Sequence, residues 1–301
     1  VKRNTVLGYL LLLPHAVFFG LFVVFPLAKV LVMSFSEWGL FQGFLKWVGW
    51  ENFGVLFRFD GYRAKYFWQS MGVTASFVAW IVPLITLVAI LLAMLLNNPR
   101  LRFQKFLLTS IFLPTALAVT VTAVIWRWIF SFDAGLVNLF LSGMGLEKIP
   151  WITTMPWAFI TVVIATLWWT LGWNVIILLG GLQKIPESLY DAARVDGANA
   201  LQRFWNVTLP GLRNVLMYVV ITQAVATFGI FGQSQLMTSG GPGRQTLPVM
   251  LQIYNEAFNT SRPRMGYASA MSVVFGVLVL SVLAVQYFLF THERKGVRHA
   301  A

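Results

Sequence analysis

Few residues in this 301-residue chain are of a type that does covalent chemistry, and none is spaced for it. Cysteine is absent, which removes thiolate nucleophiles, thiolate metal sites and disulfides. His15, His292 and His299 are too scattered to suggest a metal site. No Gly-x-x-x-x-Gly-Lys-Ser/Thr run is present to cradle the phosphates of ATP. All ten acidic residues fall outside the long apolar runs, so those runs carry no carboxylate that could relay protons. What remains is suited to non-covalent recognition. Trp169, Thr170, Trp173 and Asn174 lie within about one and a half helical turns of one another. Gln223, Thr227, Ile230 and Ser234 follow helical spacing along one face, with Phe228, Gly229 and Gln233 adjoining. Ring faces, amides and hydroxyls of this kind can bind a neutral solute that carries hydroxyl groups. They also have a purely structural reading, since Trp gathers at membrane interfaces and Gly and Thr mediate helix packing in lipid.

The elements that must position these residues are membrane spans. The chain is 58% apolar and 11% charged, with a mean hydropathy of +0.74. A soluble domain carries about 25% charged residues because its surface faces water, so the solvent here is lipid. A helix needs roughly 20 apolar residues to cross the hydrocarbon core. Six stretches qualify, at about 7–33, 70–96, 106–130, 156–180, 213–237 and 268–290. The fifth is the least apolar, with Thr222, Gln223, Thr227, Gln233, Ser234 and Gln235. Amides in lipid need partners, so its polar stripe is expected to face the bundle interior. The first stretch follows Lys2-Arg3, but it outruns a signal-peptide core, no clear small-residue cleavage site ends it, and five more spans follow. It reads as a retained helix. Pro14, Pro26, Pro83 and Pro114 lie within spans, where neighbouring helices can satisfy the freed carbonyls. The expected fold is all-α: a single polytopic transmembrane domain over 1–301 with six spans.

The formal net charge of +12 fits the same picture. No basic stripe accompanies a soluble fold, so nucleic acid is not an expected partner. One side of the membrane receives the N-terminus, the loops near 97–105 and 181–213, and the C-terminal tail, with twelve Lys and Arg against four acids. The other side has eight against six. Positive-inside then places both termini in the cytoplasm, as an even number of spans requires. Lys29 and Arg127 lie toward the outer ends of their spans, where a long side chain can snorkel to the interface.

The loop over 181–210 is the most informative stretch. Pro186 suits a first helical turn, with Glu187 behind it to favour the positive end of the helix dipole. Gly197 can close that helix in the left-handed conformation. A second helix, about 199–208, is expected to end before Leu209-Pro210. The result is a helix–turn–helix at the membrane surface. Ala192 and Ala193 leave one of its faces with little bulk, while Asp191 and Arg194 beside them offer charges for register. Local chemistry leaves two readings open, a face that enters a partner's groove and a plain amphipathic re-entry loop.

Asp191-Ala192-Ala193, three residues, Gly197, nine residues, Val207, one residue and Leu209-Pro210 resemble the EAA motif of binding-protein-dependent ABC importer permeases. The family pattern is Glu-Ala-Ala, three residues, Gly, nine residues, Ile, one residue, Leu-Pro. Every spacing matches, with Asp for Glu and Val for Ile, and Asp196-Gly197-Ala198 and Phe204 fit the family's extended form. Gly240-Gly241-Pro242, in the run 236–246, resembles the outer loop of carbohydrate-uptake permeases of the maltose and glycerol-phosphate type, first permease subunit. As a plain sequence, Gly and Pro there also suit an ordinary turn.

The resemblance implies a coupling helix seated in a cleft of an ATPase subunit. Ala192 and Ala193 would pack in that cleft, Asp191 would pair with a basic residue of the ATPase, and Gly197 would allow the turn. Asp196, Ala198, Leu209 and Pro210 complete the coupling set. The implied assembly has a second permease, two ATPase subunits and an external sugar-binding protein, set in the lipid of a prokaryotic inner membrane. ATP and magnesium would be held by the ATPase, with no cofactor, metal or catalytic residue on this chain. The implied substrate pathway draws on the fifth span. This makes Trp169, Thr170, Trp173, Asn174, Gln223, Thr227, Phe228, Gly229 and Gln233 its expected residues, with Gly240, Gly241 and Pro242 facing the binding protein. A phosphate-bearing ligand would want Arg or Lys near the midplane and the central spans have none, which favours a neutral disaccharide or oligosaccharide over glycerol phosphate. Alternatives are an ABC permease for another small solute and, more remotely, a secondary carrier or membrane scaffold.

Overall fold

A computed structural model describes residues 2–98 and 100–298, with side chains over 10–98 and 100–289. The side chains of Lys2, Arg3, His292, Glu293, Arg294, Lys295 and Arg298, and all of His299, lie outside the described residues. Five helices are long and apolar enough to cross a membrane: Leu10–Ser34, Tyr62–Leu96, Trp157–Leu182, Ala200–Phe228 and Met265–Leu289. Gln104–Ala116 and Val119–Ile129 meet at 103° and bring the number to six when the bent pair is counted as one span. The protein is thus an all-α polytopic membrane protein, and the described residues add one two-stranded hairpin to the helices.

Prolines shape the spans. The first span consists of α1 (Lys2–Phe19), a π-helical turn over Gly20–Val24, and α2 (Phe25–Ser34). Pro26 lacks an N–H, and its ring would press on the carbonyl four residues back. The turn widens just before it, with Phe25 N–H donating to the Gly20 carbonyl. After α2 come β1 (Ser36–Gly39), β2 (Gly43–Trp47), α3 (Glu51–Phe57) and the long α4 (Tyr62–Leu96).

The third span breaks where 106–130 reads as one helix. In it, α5 (Gln104–Phe112) runs into a 3-10 turn at Leu113–Ala116, Leu117 and Ala118 are extended, and α6 (Val119–Ile129) leaves in a new direction. Pro114 starts this break, and the carbonyl of Leu117 is recovered by Trp169 Nε1–H at 2.9 Å. The expectation that Arg127 simply snorkels is refined too: one of its guanidinium N–H groups donates to the Leu236 carbonyl at 3.2 Å.

The remaining helices are α7 (Leu136–Gly143), α8 (Trp157–Leu182), α9 (Glu187–Val195), α10 (Ala200–Arg203), α11 (Leu209–Phe228), α12 (Val249–Phe258) and α13 (Met265–Arg298). The chain divides into two compact units. One comprises the residues up to Gln69 together with Gln252–Leu278, and the other comprises Ser70–Leu251 with the chain from Val279 onward. In the second unit, α4, α8 and α11 share a core of Ala89, Ala93, Leu96, Val175, Leu178, Leu182, Leu212 and Val219. Phe77 stacks on Phe159 at 4.5 Å in a second cluster with Ile81, Val162 and Ile230. These contacts fix α8 beside α11, and the polar residues of interest lie on those two helices.

Candidate functional site

The loop between the fourth and fifth spans has one feature that local rules anticipate and one that they do not. Pro186 is extended and stands just ahead of α9, one position outside the helical turn expected for it. Glu187 then sits in the first turn and Arg194 in the last, matching the dipole at both ends. Gly197 has φ +77°, and the Ala198 N–H returns to the Ala193 carbonyl at 2.9 Å to close the helix. The second helix departs from expectation. It does not stop before Leu209-Pro210. Instead α10, a π-helical turn over Phe204–Thr208 and α11 form one rod over Ala200–Phe228. The Leu209 N–H donates to the Phe204 carbonyl, five residues back. The wider turn accommodates Pro210 without breaking the rod, as at Pro26.

This loop presents its short side chains and its charges outward. Asp191, Ala192, Asp196 and Gly197 are exposed, with Ala193 and Ala198 partly covered. Leu189, Ala192 and Val195 line one side of α9 at three-residue intervals, and Val195 is 89% exposed. Asp191 is paired within its own helix, its carboxylate 2.6 Å from the Arg194 guanidinium. Leu209 is partly covered and Pro210 exposed at the foot of the fifth span.

Of the nine residues expected along a solute path, the structure gathers four. Asn174 Nδ2 donates to the Gln223 Oε1 at 3.0 Å and to the Thr170 carbonyl at 2.9 Å. Gln223 Nε2 donates to Thr227 Oγ1 at 3.3 Å, and the Thr227 hydroxyl returns to the Gln223 carbonyl at 2.8 Å. The result is an uncharged hydrogen-bonded line linking α8 to α11, with Gln223 only 5% exposed. Ile230, Gln233 and Ser234 are buried as well. Trp173 lies elsewhere, 57% exposed on the outer surface of α8, and Trp169 is committed to the break in the third span. Gly229 ends α11 in an exposed position next to the half-buried Phe228. Among the described residues, no group of three or more His, Asp or Glu side chains is placed to ligate a metal ion.

The Gly240-Gly241-Pro242 stretch folds as a tied loop. Gly240 has φ +79°, and a Cβ there would collide with the Leu247 side chain. The Thr246 hydroxyl donates to the Gly241 carbonyl at 2.6 Å and lies 2.7 Å from the Thr238 hydroxyl, closing the loop across its neck. Gly240 is buried, and Gly241 and Pro242 are half-buried.

Residues 85–295, from within the second span to the last, match the family described as "Binding-protein-dependent transport system inner membrane component". The chain belongs to that family. Among its relatives, this permease is 34% identical over 292 residues to the lactose transport system permease protein LacF of Rhizobium radiobacter, covering 96% of this chain and 95% of the relative. It is 33% identical over 279 residues to the trehalose/maltose transport system permease protein MalF of Thermococcus litoralis, covering 93% and 92%. It is 28% identical over 278 residues to the arabinooligosaccharides transport system permease protein AraP of Bacillus subtilis, covering 91% and 85%. Its fold is that of a chain in the crystal structure of a bacterial alginate ABC transporter in complex with an alginate pentasaccharide-bound periplasmic protein, with a TM-score of 0.79 at 22% identity over 95% and 94% of the two chains.

Two features of the permease loop lie outside the motif positions. Asn199 caps α10 by accepting from the Gln202 N–H at 2.9 Å, and the Gln202 side chain accepts from the Asn199 N–H at 2.8 Å. The Asn-x-x-Gln spacing carries that capping box in the sequence. The Tyr190 hydroxyl lies 3.1 Å from the buried Thr208 Oγ1, fastening α9 to the root of the fifth span. No spacing rule links residues 190 and 208, because only the folded turn brings them together.

Proposed function

We propose that this chain is a transmembrane permease subunit of an ATP-binding-cassette importer that passes a sugar, a disaccharide or short oligosaccharide, from an extracytoplasmic binding protein to the cytoplasm. The observation that carries the reading is the 187–210 loop, whose exposed apolar stripe of Leu189, Ala192 and Val195 is contiguous with a rod that runs into the fifth span. A surface of short side chains suits insertion into a partner's cleft, and a stiff rod suits transmission of its movement. In this reading the partner is one of two ATPase subunits, which bind ATP and magnesium and hydrolyse it. A second permease completes the path, both termini lie in the cytoplasm, and the membrane is a prokaryotic inner membrane. Thr170, Asn174, Gln223, Thr227, Phe228, Gly229 and Gln233 serve the solute path, whereas Trp169 braces the third span and Trp173 faces outward. Gly240, Gly241 and Pro242 lie on the binding-protein side. The names of the relatives support sugar as the solute class, and the uncharged character of the α8–α11 line fits a neutral ligand.

The test is Asp191→Lys and Ala192→Trp in the complete transporter reconstituted with its binding protein. Both positions are exposed on this chain, so insertion is expected to persist. Sugar-stimulated ATP hydrolysis and uptake should fall at least about tenfold, as loss of roughly 1.4 kcal/mol of coupling would give. Unchanged stimulation in both variants would overturn the coupling role.

A further inference from the structure

The stretch between the first and second spans is folded, and its outer surface is aromatic. In the unit formed by the residues up to Gln69 with Gln252–Leu278, three contacts fix its level against the ends of two spans. Asn52 Nδ2 donates to the carbonyls of Ser34 and Ser36, both at 3.0 Å, tying α3 to the last turn of α2. The hairpin register sets Trp47 opposite Ser36, only two residues beyond the end of α2. Gly266, at the start of α13, lies so close to the Ser36 carbonyl that a Cβ would collide with it, and that Cβ would be 3.1 Å from the Met33 carbonyl. The ends of α2 and α13 therefore meet at the height of the hairpin base. The hairpin also turns back toward its span: Lys29 Nζ, from within α2, lies 5.7 Å from the centre of the Trp38 ring.

The lobe leaves large apolar side chains uncovered. Phe41 is 90% exposed, Trp50 72%, Phe59 69%, Trp47 63% and Leu45 50%. Lys46 and Arg58 lie among them, with Lys46 3.2 Å from Glu37 across the hairpin. Trp and other amphipathic rings favour the boundary between headgroups and acyl chains, and Lys and Arg beside them can reach lipid phosphates. On the adjoining α2, Phe25, Leu27, Leu31 and Val32 are also exposed, as suits a span that faces acyl chains.

We propose that the 36–59 lobe lies in the headgroup–acyl boundary of the leaflet at the C-terminal end of the first span, as an aromatic anchor on lipid. It does not stand in water as a receptor for a soluble protein. The chain has no cysteine, so single sites can be introduced cleanly. Phe41→Cys, Leu45→Cys and Trp47→Cys are each spin-labelled in the complete transporter in phosphatidylethanolamine–phosphatidylglycerol vesicles. Collision with oxygen and with a water-soluble nickel chelate is then measured. All three labels should collide more with oxygen than with the chelate, and they should remain so when the binding protein is added. Excess collision with the chelate would place the lobe in water, and poor access to both reagents would place a protein on it. Either result overturns the proposal. Trp47 packs edge-on against Phe44, so if its variant fails to insert, the labels at Phe41 and Leu45 decide the matter. This result depends only on the chain spanning a membrane, and it can fail while the sugar-import reading stands.

Discussion

Asn174 and Gln223 show most directly how single residues divide between holding the fold and serving a solute. Each amide is buried and satisfies the other, at 3.0 Å. Replacing one partner strands a donor or acceptor away from water, which costs about 1–3 kcal/mol, whereas replacing both by apolar groups of similar size can be nearly neutral. Gln223→Leu is therefore expected to lower the thermal midpoint of the detergent-solubilised permease. The double variant Asn174→Leu with Gln223→Leu should recover more than half of that loss. If the pair also meets sugar, the double variant regains stability without regaining uptake. Recovery of both would assign the pair to packing alone. Residue types made this pair candidates from sequence, but Trp173 had the same standing there and lies on the outer surface. Helical spacing places residues on a face without saying what covers it. The neighbour that decides this, α11 against α8, is supplied by contacts 49 residues apart along the chain.

At the scale of elements, two of the three π-helical turns among the described residues, Gly20–Val24 and Phe204–Thr208, answer the same steric problem. Both end two residues before a proline, Pro26 or Pro210, and in each the N–H of the residue between, Phe25 or Leu209, reaches the carbonyl five residues back. The widened turn keeps the helix continuous, so α10 and the fifth span move as one piece. Tyr190 then matters as the crosslink from α9 to that rod, through Thr208. One such hydrogen bond is worth about 1 kcal/mol, or roughly fivefold in an equilibrium. Tyr190→Phe should leave insertion intact and raise the ATP hydrolysed per sugar imported by up to about fivefold, read from paired uptake and phosphate-release assays. An unchanged ratio would remove the crosslink from the coupling path. Asn199→Ala, which removes the capping box, should cost about 0.5–2 kcal/mol of stability through the start of the same rod. Thermal unfolding of the solubilised chain measures that loss.

For the whole molecule, the excess of Lys and Arg in alternate loops makes one topology the expected one. Ser188→Cys in the coupling loop should react with an impermeant maleimide only from the cytoplasmic side, and Gln245→Cys beside the Gly240 loop only from the outside. Labelling of both from the same side would reject six crossings. Apolar run length, loop charge and motif spacing are local quantities. The sequence alone was therefore sufficient for an all-α membrane chain, for the place of the short helix between the fourth and fifth spans and for the turn at Gly197. The tertiary structure decided where helices break and which polar groups meet. The 103° bend at Leu117–Ala118 is tolerated because Trp169 takes up a freed carbonyl from another helix. The folded lobe over 36–59 was illegible for a related reason: its strands are short and its level is set by Asn52 and Gly266 against span ends. In lipid, apolar surface needs no burial to hold a helix in place, whereas each backbone group released by a break must find its partner inside the protein. Span position is thus written in local composition, and the partner of each freed polar group is set only when distant segments pack.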